Sequence, residues 1–153
     1  MTIPTLARNA MMVLALALAP AAAMANAAAA IEARQANFKA IGRANKAIQD
    51  ELKKPRPSVE VIRENAAALE RAAQQIPRGF PAGSGPEAGV KTEALPAIWR
   101  DPQGFSEAAG RNLAAVRALR AAAEAGDLAR VRAAAGDVGP TCKACHDRFR
   151  GKS

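Results

Sequence analysis

Four stretches of this 153-residue chain place apolar side chains at alternating spacings of three and four residues. That spacing lines one face of an α-helix and forms the seam of a packed bundle. The first stretch covers roughly residues 28–52, with Ile31, Arg34, Phe38, Ile41, Asn45, Ile48 and Leu52 on the seam. Pro55 and Pro57 stop it, because proline cannot continue the hydrogen-bond ladder, and Ser58 is placed to cap the next helix. The second seam is Val59, Ile62, Ala66, Leu69, Ala73 and Ile76, ended by Pro77. A third helix is expected from Asp101-Pro102, a cap followed by proline at the first helical position. It runs through Phe105, Ala109, Leu113, Val116 and Leu119 to Ala125, where Gly126 closes it and Asp127 caps the fourth. The fourth seam reads Leu128, Val131, Ala135, Val138, Cys142, Cys145 and Phe149, with Gly139-Pro140 expected to kink or loosen the helix before the cysteines. No period-two pattern occurs. Short links join helices one to two and three to four, which makes each pair antiparallel, so the expected fold is an all-α antiparallel four-helix bundle. Residues 77–100 form a Gly/Pro-rich crossing with one helical turn at LPAIW, and a connection of that length is usually functional or wraps something.

Residues 1–25 are not expected to belong to the bundle. Arg8, an apolar run from Ala10 to Ala23, and the small-x-small patterns Ala23-Met24-Ala25 and Ala25-Asn26-Ala27 follow the order of a secretory signal peptide. The apolar run is shorter than the roughly 20 residues that span a bilayer, so the expectation is export and cleavage without stable membrane insertion. Residues 26–153 then form one domain. Beyond the leader, 21 Lys and Arg stand against 14 Asp and Glu, about +7. These charges are scattered over helical faces, and with five aromatic residues in all there is no stacking platform for bases, which argues against nucleic-acid binding. The chain is rich in alanine, and a thin alanine core leaves room for something large and flat.

Both cysteines and the only histidine fall within five positions, CKACH, Cys142 to His146. A thioredoxin-like pair needs C-x-x-C at a helix start, usually after a strand, where the helix N-terminus lowers a thiol pKa; here the pair lies near a helix end in an all-helical chain. Zinc needs four ligands, and only three soft donors are present unless carboxylates contribute. A disulfide is permitted in an exported protein but would close a very small loop and gain little entropy. Covalent haem attachment accounts for every feature, since C-x-x-C-H is the c-type haem signature. Three helical residues advance about 4.5 Å and turn through about 300°, so Cys142 and Cys145 share a face and are placed to bond the two vinyl groups of one haem c. His146, four positions after Cys142, is the candidate axial iron ligand.

The chain resembles the class II cytochromes c, and within them cytochrome c′. The likeness rests on EARQANFKAIG in the first helix, KTEALPAIW in the crossing and GDVGPTCKACHDRFR at the end, where this class carries its C-x-x-C-H. The resemblance implies a haem pocket that includes Arg34 and Gln35 beside the propionates, Thr92 and Glu93 at the haem edge, Trp99 covering that edge, and Arg150 on the proximal side. It also places Phe38, four residues after Arg34, where low-spin relatives carry a ligating methionine. The inventory agrees: all four methionines, Met1, Met11, Met12 and Met24, lie within the leader, so no methionine or second histidine remains to fill the sixth position. The expectation is a five-coordinate, high-spin haem under an apolar distal pocket that admits NO and CO. Arg34 is also anomalous as a charge on an apolar seam; a buried guanidinium needs an anionic partner, which the haem propionates would supply, unless its stem packs while its head reaches water. The expected protein is a periplasmic, non-enzymatic gas-binding cytochrome capable of electron transfer, forming a homodimer as its relatives commonly do. The alternatives are a plain periplasmic electron carrier and a haem-free helical interaction module.

Overall fold

The computed structural model describes the backbone of residues 5–151 and the side chains of residues 24–151. The reading of residues 1–25 as a signal peptide falls almost wholly outside the described side chains. Helix α1 spans Thr5–Leu52 and α2 spans Val59–Ala73; a four-residue α3, Ala97–Arg100, precedes α4, Pro102–Glu124, and α5, Leu128–Phe149. Two 3₁₀ turns, Ile76–Gly79 and Pro86–Ala88, shape the crossing. Among the described residues there is no strand, only an isolated antiparallel bridge between Ala94 and Arg150. None of the described helices is long and apolar enough to cross a membrane.

The caps form where the sequence places them. The Ser58 hydroxyl accepts from Val61 N, the Asp101 carboxylate from Gly104 N, and the Asp127 carboxylate from Ala129 N and Arg130 N. Each satisfies amide donors that have no partner within the helix. Gly126 takes a left-handed φ of 71° between α4 and α5, a conformation that favours glycine. Glu51 secures the other short link, its carboxylate accepting from Ser58 N at 2.8 Å and from Lys54 Nζ at 2.6 Å.

Two helix boundaries differ from the sequence reading. Helix α1 begins well before residue 28, because alanine and leucine continue the helical pattern upstream. Helix α2 ends at Ala73, and Ile76, still buried, enters the core from a 3₁₀ turn instead. Pro140 does not break α5, which continues through it to Phe149. Beside it the Thr141 hydroxyl donates to Val138 O at 2.7 Å, so a side-chain bond reinforces the turn where proline has no N–H to give. In α4 the expected seam residues Phe105, Ala109, Val116 and Leu119 are buried and Leu113 packs against the core, and Asn112 joins them in the interface as a buried polar residue.

The core combines Ile31, Ile48, Ile62, Leu69, Val116, Leu119, Val131 and Val138 with many alanines, which let the helices approach closely. Helix α4 packs on α5 and on α2, and α2 packs on α1, whereas α1 and α5 touch only sparingly. The α2–α4 contact is fixed by Glu70, whose side chain is 10% exposed and accepts from Arg120 Nη1 at 2.8 Å and Arg117 Nε at 3.2 Å. The Arg120 hydrogen bond, with Arg117 behind it, holds this carboxyl below the usual carboxylate range against the opposing effect of desolvation. A depressed pKa contributes stability that is complete above the unfolded-state value, about 4.3, and is lost as pH falls through the folded value. Glu70→Gln is therefore expected to be less stable than the native chain at pH 7 in urea titrations. The gap between the two should close as the pH is lowered below the carboxylate range.

Candidate haem site

The last two turns of α5 carry the cluster. Cys142 and Cys145 form no disulfide with each other, and each is half-buried and packed against the hydrophobic core. Burial raises both thiol pKa values; at Cys142 the Asn112 hydrogen bond opposes it, and at Cys145 the nearby Cys142 adds to it. His146 lies at the solvent edge of the helix. Partial desolvation, and then the Arg150 guanidinium, hold its imidazole below the usual range, so at neutral pH it is uncharged and its nitrogen lone pair can bind a metal. Among the described residues no three His, Cys, Asp or Glu side chains converge on a possible cation site.

The crossing is tied down on both sides of this cluster. At its end, Leu95 N donates to Phe149 O at 3.0 Å and Gly151 N to Glu93 O at 2.7 Å, while Arg150 Nε meets Glu93 Oε2 at 2.6 Å. Trp99 Nε1 donates to the carbonyls of Phe80 and Pro81. On the α1 side, Gln35 Nε2 donates to Lys91 O at 3.0 Å. Arg34, only 4% exposed, directs Nη1 to Ser84 Oγ at 2.9 Å and Gly79 O at 3.4 Å, and Nη2 to Ser84 O at 2.7 Å and Thr92 Oγ1 at 2.8 Å. Its guanidinium also lies over the Phe80 ring, 4.8 Å from the centroid. The head of Arg34 does not turn out to water. Burial lowers its pKa, with Glu87 opposing, and the crossing supplies neutral oxygen acceptors.

All five aromatic residues form one connected series. Ring centroids lie 6.3 Å apart for Phe38–Phe80, 6.1 Å for Phe80–Trp99, 4.9 Å for Phe80–Phe105 and 5.3 Å for Phe105–Phe149. Phe38 begins the series at the lip of a cleft of about 280 Å³ that Arg34, Asn37 and Ile76 also line. It is 37% exposed, unlike its fully buried seam companions Ile31 and Ile48.

The structure thus brings together Arg34 with Thr92, Gln35 with the backbone of Lys91, and Glu93 with Arg150. It links Phe38 and Trp99 to α5 through the rings of Phe80, Phe105 and Phe149. Ser84, Phe80 and Asn112 are additions that the sequence reading did not single out. Ser84 carries no local signal, but Asn112 does, as a polar residue three positions from Ala109 and four from Val116 on the buried stripe.

A bundle whose first and last helices touch sparingly, with two thiols on the inner face of the last and a neutral imidazole one residue on, has the donor set for a covalently held porphyrin. Comparison with known proteins agrees. A family model for cytochrome C′ matches residues 29–150. Cytochrome c′ of Rhodospirillum rubrum is 36% identical over 130 residues, covering 84% of this chain and 86% of that protein. Cytochrome c′ of Rubrivivax gelatinosus is 49% identical over 70 residues, 46% of this chain and 54% of that one. The crystal structure of cytochrome c′ from Rubrivivax gelatinosus superposes with a TM-score of 0.75 at 36% identity, covering 81% of this chain and 96% of that chain. A nitric oxide complex of a mutant cytochrome c prime from Alcaligenes xylosoxidans superposes with a TM-score of 0.73 at 31% identity, covering 81% and 94%. The chain belongs to the cytochrome c′ family, an antiparallel four-helix bundle that carries covalently attached haem c.

Proposed function

We propose that the chain is exported, cleaved after Ala25 and matured in the periplasm into a monohaem cytochrome c′ that binds NO and CO and is competent for electron transfer. Cys142 and Cys145 hold the haem, and His146 supplies the protein's one strong axial ligand. The observation that carries this reading is the inventory: after residue 25 the chain holds no methionine and no histidine besides His146. No side chain of the usual low-spin type is left for the sixth position, which supports a five-coordinate, high-spin iron. When bound, haem supplies one-electron and gas-binding chemistry. The chain's own residues do the rest. Neutral His146 donates its lone pair, Phe38 presents an apolar ring at the distal lip, and Arg34, Gln35, Thr92, Glu93, Trp99 and Arg150 frame the edge through the bonds described above. The same reading makes it a binding and electron-transfer protein rather than an enzyme. Pairing of two copies into a homodimer is part of the same proposal.

The test is the optical spectrum of the ferrous protein before and after CO, for the native chain and for Phe38→Met. The native protein is expected to show broad high-spin bands that convert on CO binding. Phe38→Met should give sharp low-spin bands and bind CO far less readily, because a thioether at that position can ligate iron. Native low-spin bands indifferent to CO would overturn the gas-binding reading in favour of a plain electron carrier. An unchanged Phe38→Met spectrum would remove Phe38 from the distal position.

A further inference from the structure

We propose that Asn112 of α4 is a positioning residue for thioether formation at Cys142, an inference that rests on the haem reading above. Asn112 is 6% exposed and lies in the α4–α5 interface. Its Nδ2 donates to Cys142 Sγ at 3.4 Å and to Thr141 Oγ1 at 2.9 Å. The Thr141 hydroxyl in turn donates to Val138 O at 2.7 Å, across the turn where Pro140 has no amide hydrogen. One carboxamide thus holds the Cys142 sulfur and braces the helical turn that carries it. Burial of a polar side chain is costly unless it is bonded, and Asn112 directs its donor group at that thiol.

The chemistry gives this contact two uses. Attachment adds S–H across a vinyl C=C. Sulfur bonds to the carbon next to the ring, the hydrogen ends on the terminal carbon, and nothing is oxidised or reduced. An N–H pointing at sulfur favours the nucleophilic thiolate over the thiol and fixes the rotamer from which it attacks. The thioether product keeps a lone pair, so the same N–H continues to hold it. Cys145 has the Arg111 and Arg148 charges nearby but makes no such bond with Asn112. The two attachment points are therefore inequivalent, and loss of Asn112 should affect one of them.

The experiment compares native protein, Asn112→Leu, Asn112→Asp and Thr141→Val, each produced with haem-attachment machinery. Free thiols are alkylated after denaturation and mapped by peptide mass, and the pyridine haemochrome α-band reports vinyl groups left unreacted. Asn112→Asp keeps the shape and exchanges the donor for an acceptor. Both Asn112 variants are expected to yield a majority of molecules with one alkylated thiol, at Cys142, and a red-shifted α-band. Native protein should show none, and Thr141→Val, which loses the brace but keeps the Asn112–Cys142 bond, should show less single attachment than either Asn112 variant. Complete double attachment in both Asn112 variants, free thiol shared equally by Cys142 and Cys145, or failure of both variants to fold would each overturn the positioning role. Native protein with both thiols free would instead overturn the haem reading beneath it.

Discussion

Replacing His146 with alanine is expected to abolish the native visible spectrum while leaving haem covalently attached through Cys142 and Cys145. The chain offers no other imidazole and, after residue 25, no thioether, so the strong protein ligand disappears with this side chain. The effect should be confined to the iron. His146 sits at the solvent edge of α5, so its own packing contributes little and a stability loss would report the lost bond to iron. Added imidazole should restore native-like bands, because the lost group is small and its site is accessible. Absorption spectra with and without imidazole, beside a urea melt, check the three statements together. A native spectrum from His146→Ala would remove His146 from the axial role.

Arg34→Leu is expected to produce the largest loss of stability of any single change considered, because it leaves buried neutral acceptors without their donor. The substitution deletes bonds to Gly79 O, Ser84 Oγ, Ser84 O and Thr92 Oγ1 and the contact over Phe80. Ser84 is fully buried, so its carbonyl oxygen would lose its donor out of reach of water, at about 1–3 kcal/mol for an unsatisfied group, while its hydroxyl keeps the bond to Pro81 O. Against a total of about 5–15 kcal/mol for a domain of this size, that is a substantial part of the margin against unfolding. Arg34→Lys should fall between, because an ammonium keeps the charge but lacks the planar fork that reaches both Ser84 and Thr92. Urea midpoints rank the three, and proteolysis at Arg78 and Lys91 should speed up in Arg34→Leu as the crossing comes loose. Equal midpoints would mean that the crossing is held by other contacts.

The bundle was readable because helical seams are local. Ile62, Leu69, Val131 and Val138 announce their buried faces by spacing alone, and Ser58, Asp101 and Asp127 mark their helix starts by chemistry that acts within three residues. The same locality made C-x-x-C-H legible. What the sequence hid lies at long range or depends on compensation. The partners of Arg34 are 45–58 residues away, in a crossing with no periodic pattern, so the sequence shows that the charge needs a partner but not that neutral oxygens provide several. Pro140 reads as a point of weakness, since its cost is intrinsic, whereas the packing that sustains α5 belongs to α4. Asn112 was passed over because it is a polar residue beside the apolar seam, although its place between Ala109 and Val116 could have signalled it.

The distribution of these contacts also orders assembly. The α1–α2 and α4–α5 pairs are neighbours along the chain, and folding speeds up as contacts become more local. Each hairpin can close through a short link, and the bond from Asn112 to Cys142 spans only 30 residues within the second. The bond from Arg34 to Thr92 spans 58, nearly twice that, a closure dearer by about 0.6 kcal/mol in chain entropy. The thiol-bearing hairpin therefore carries its own alignment, while the crossing locks only when the first helix arrives.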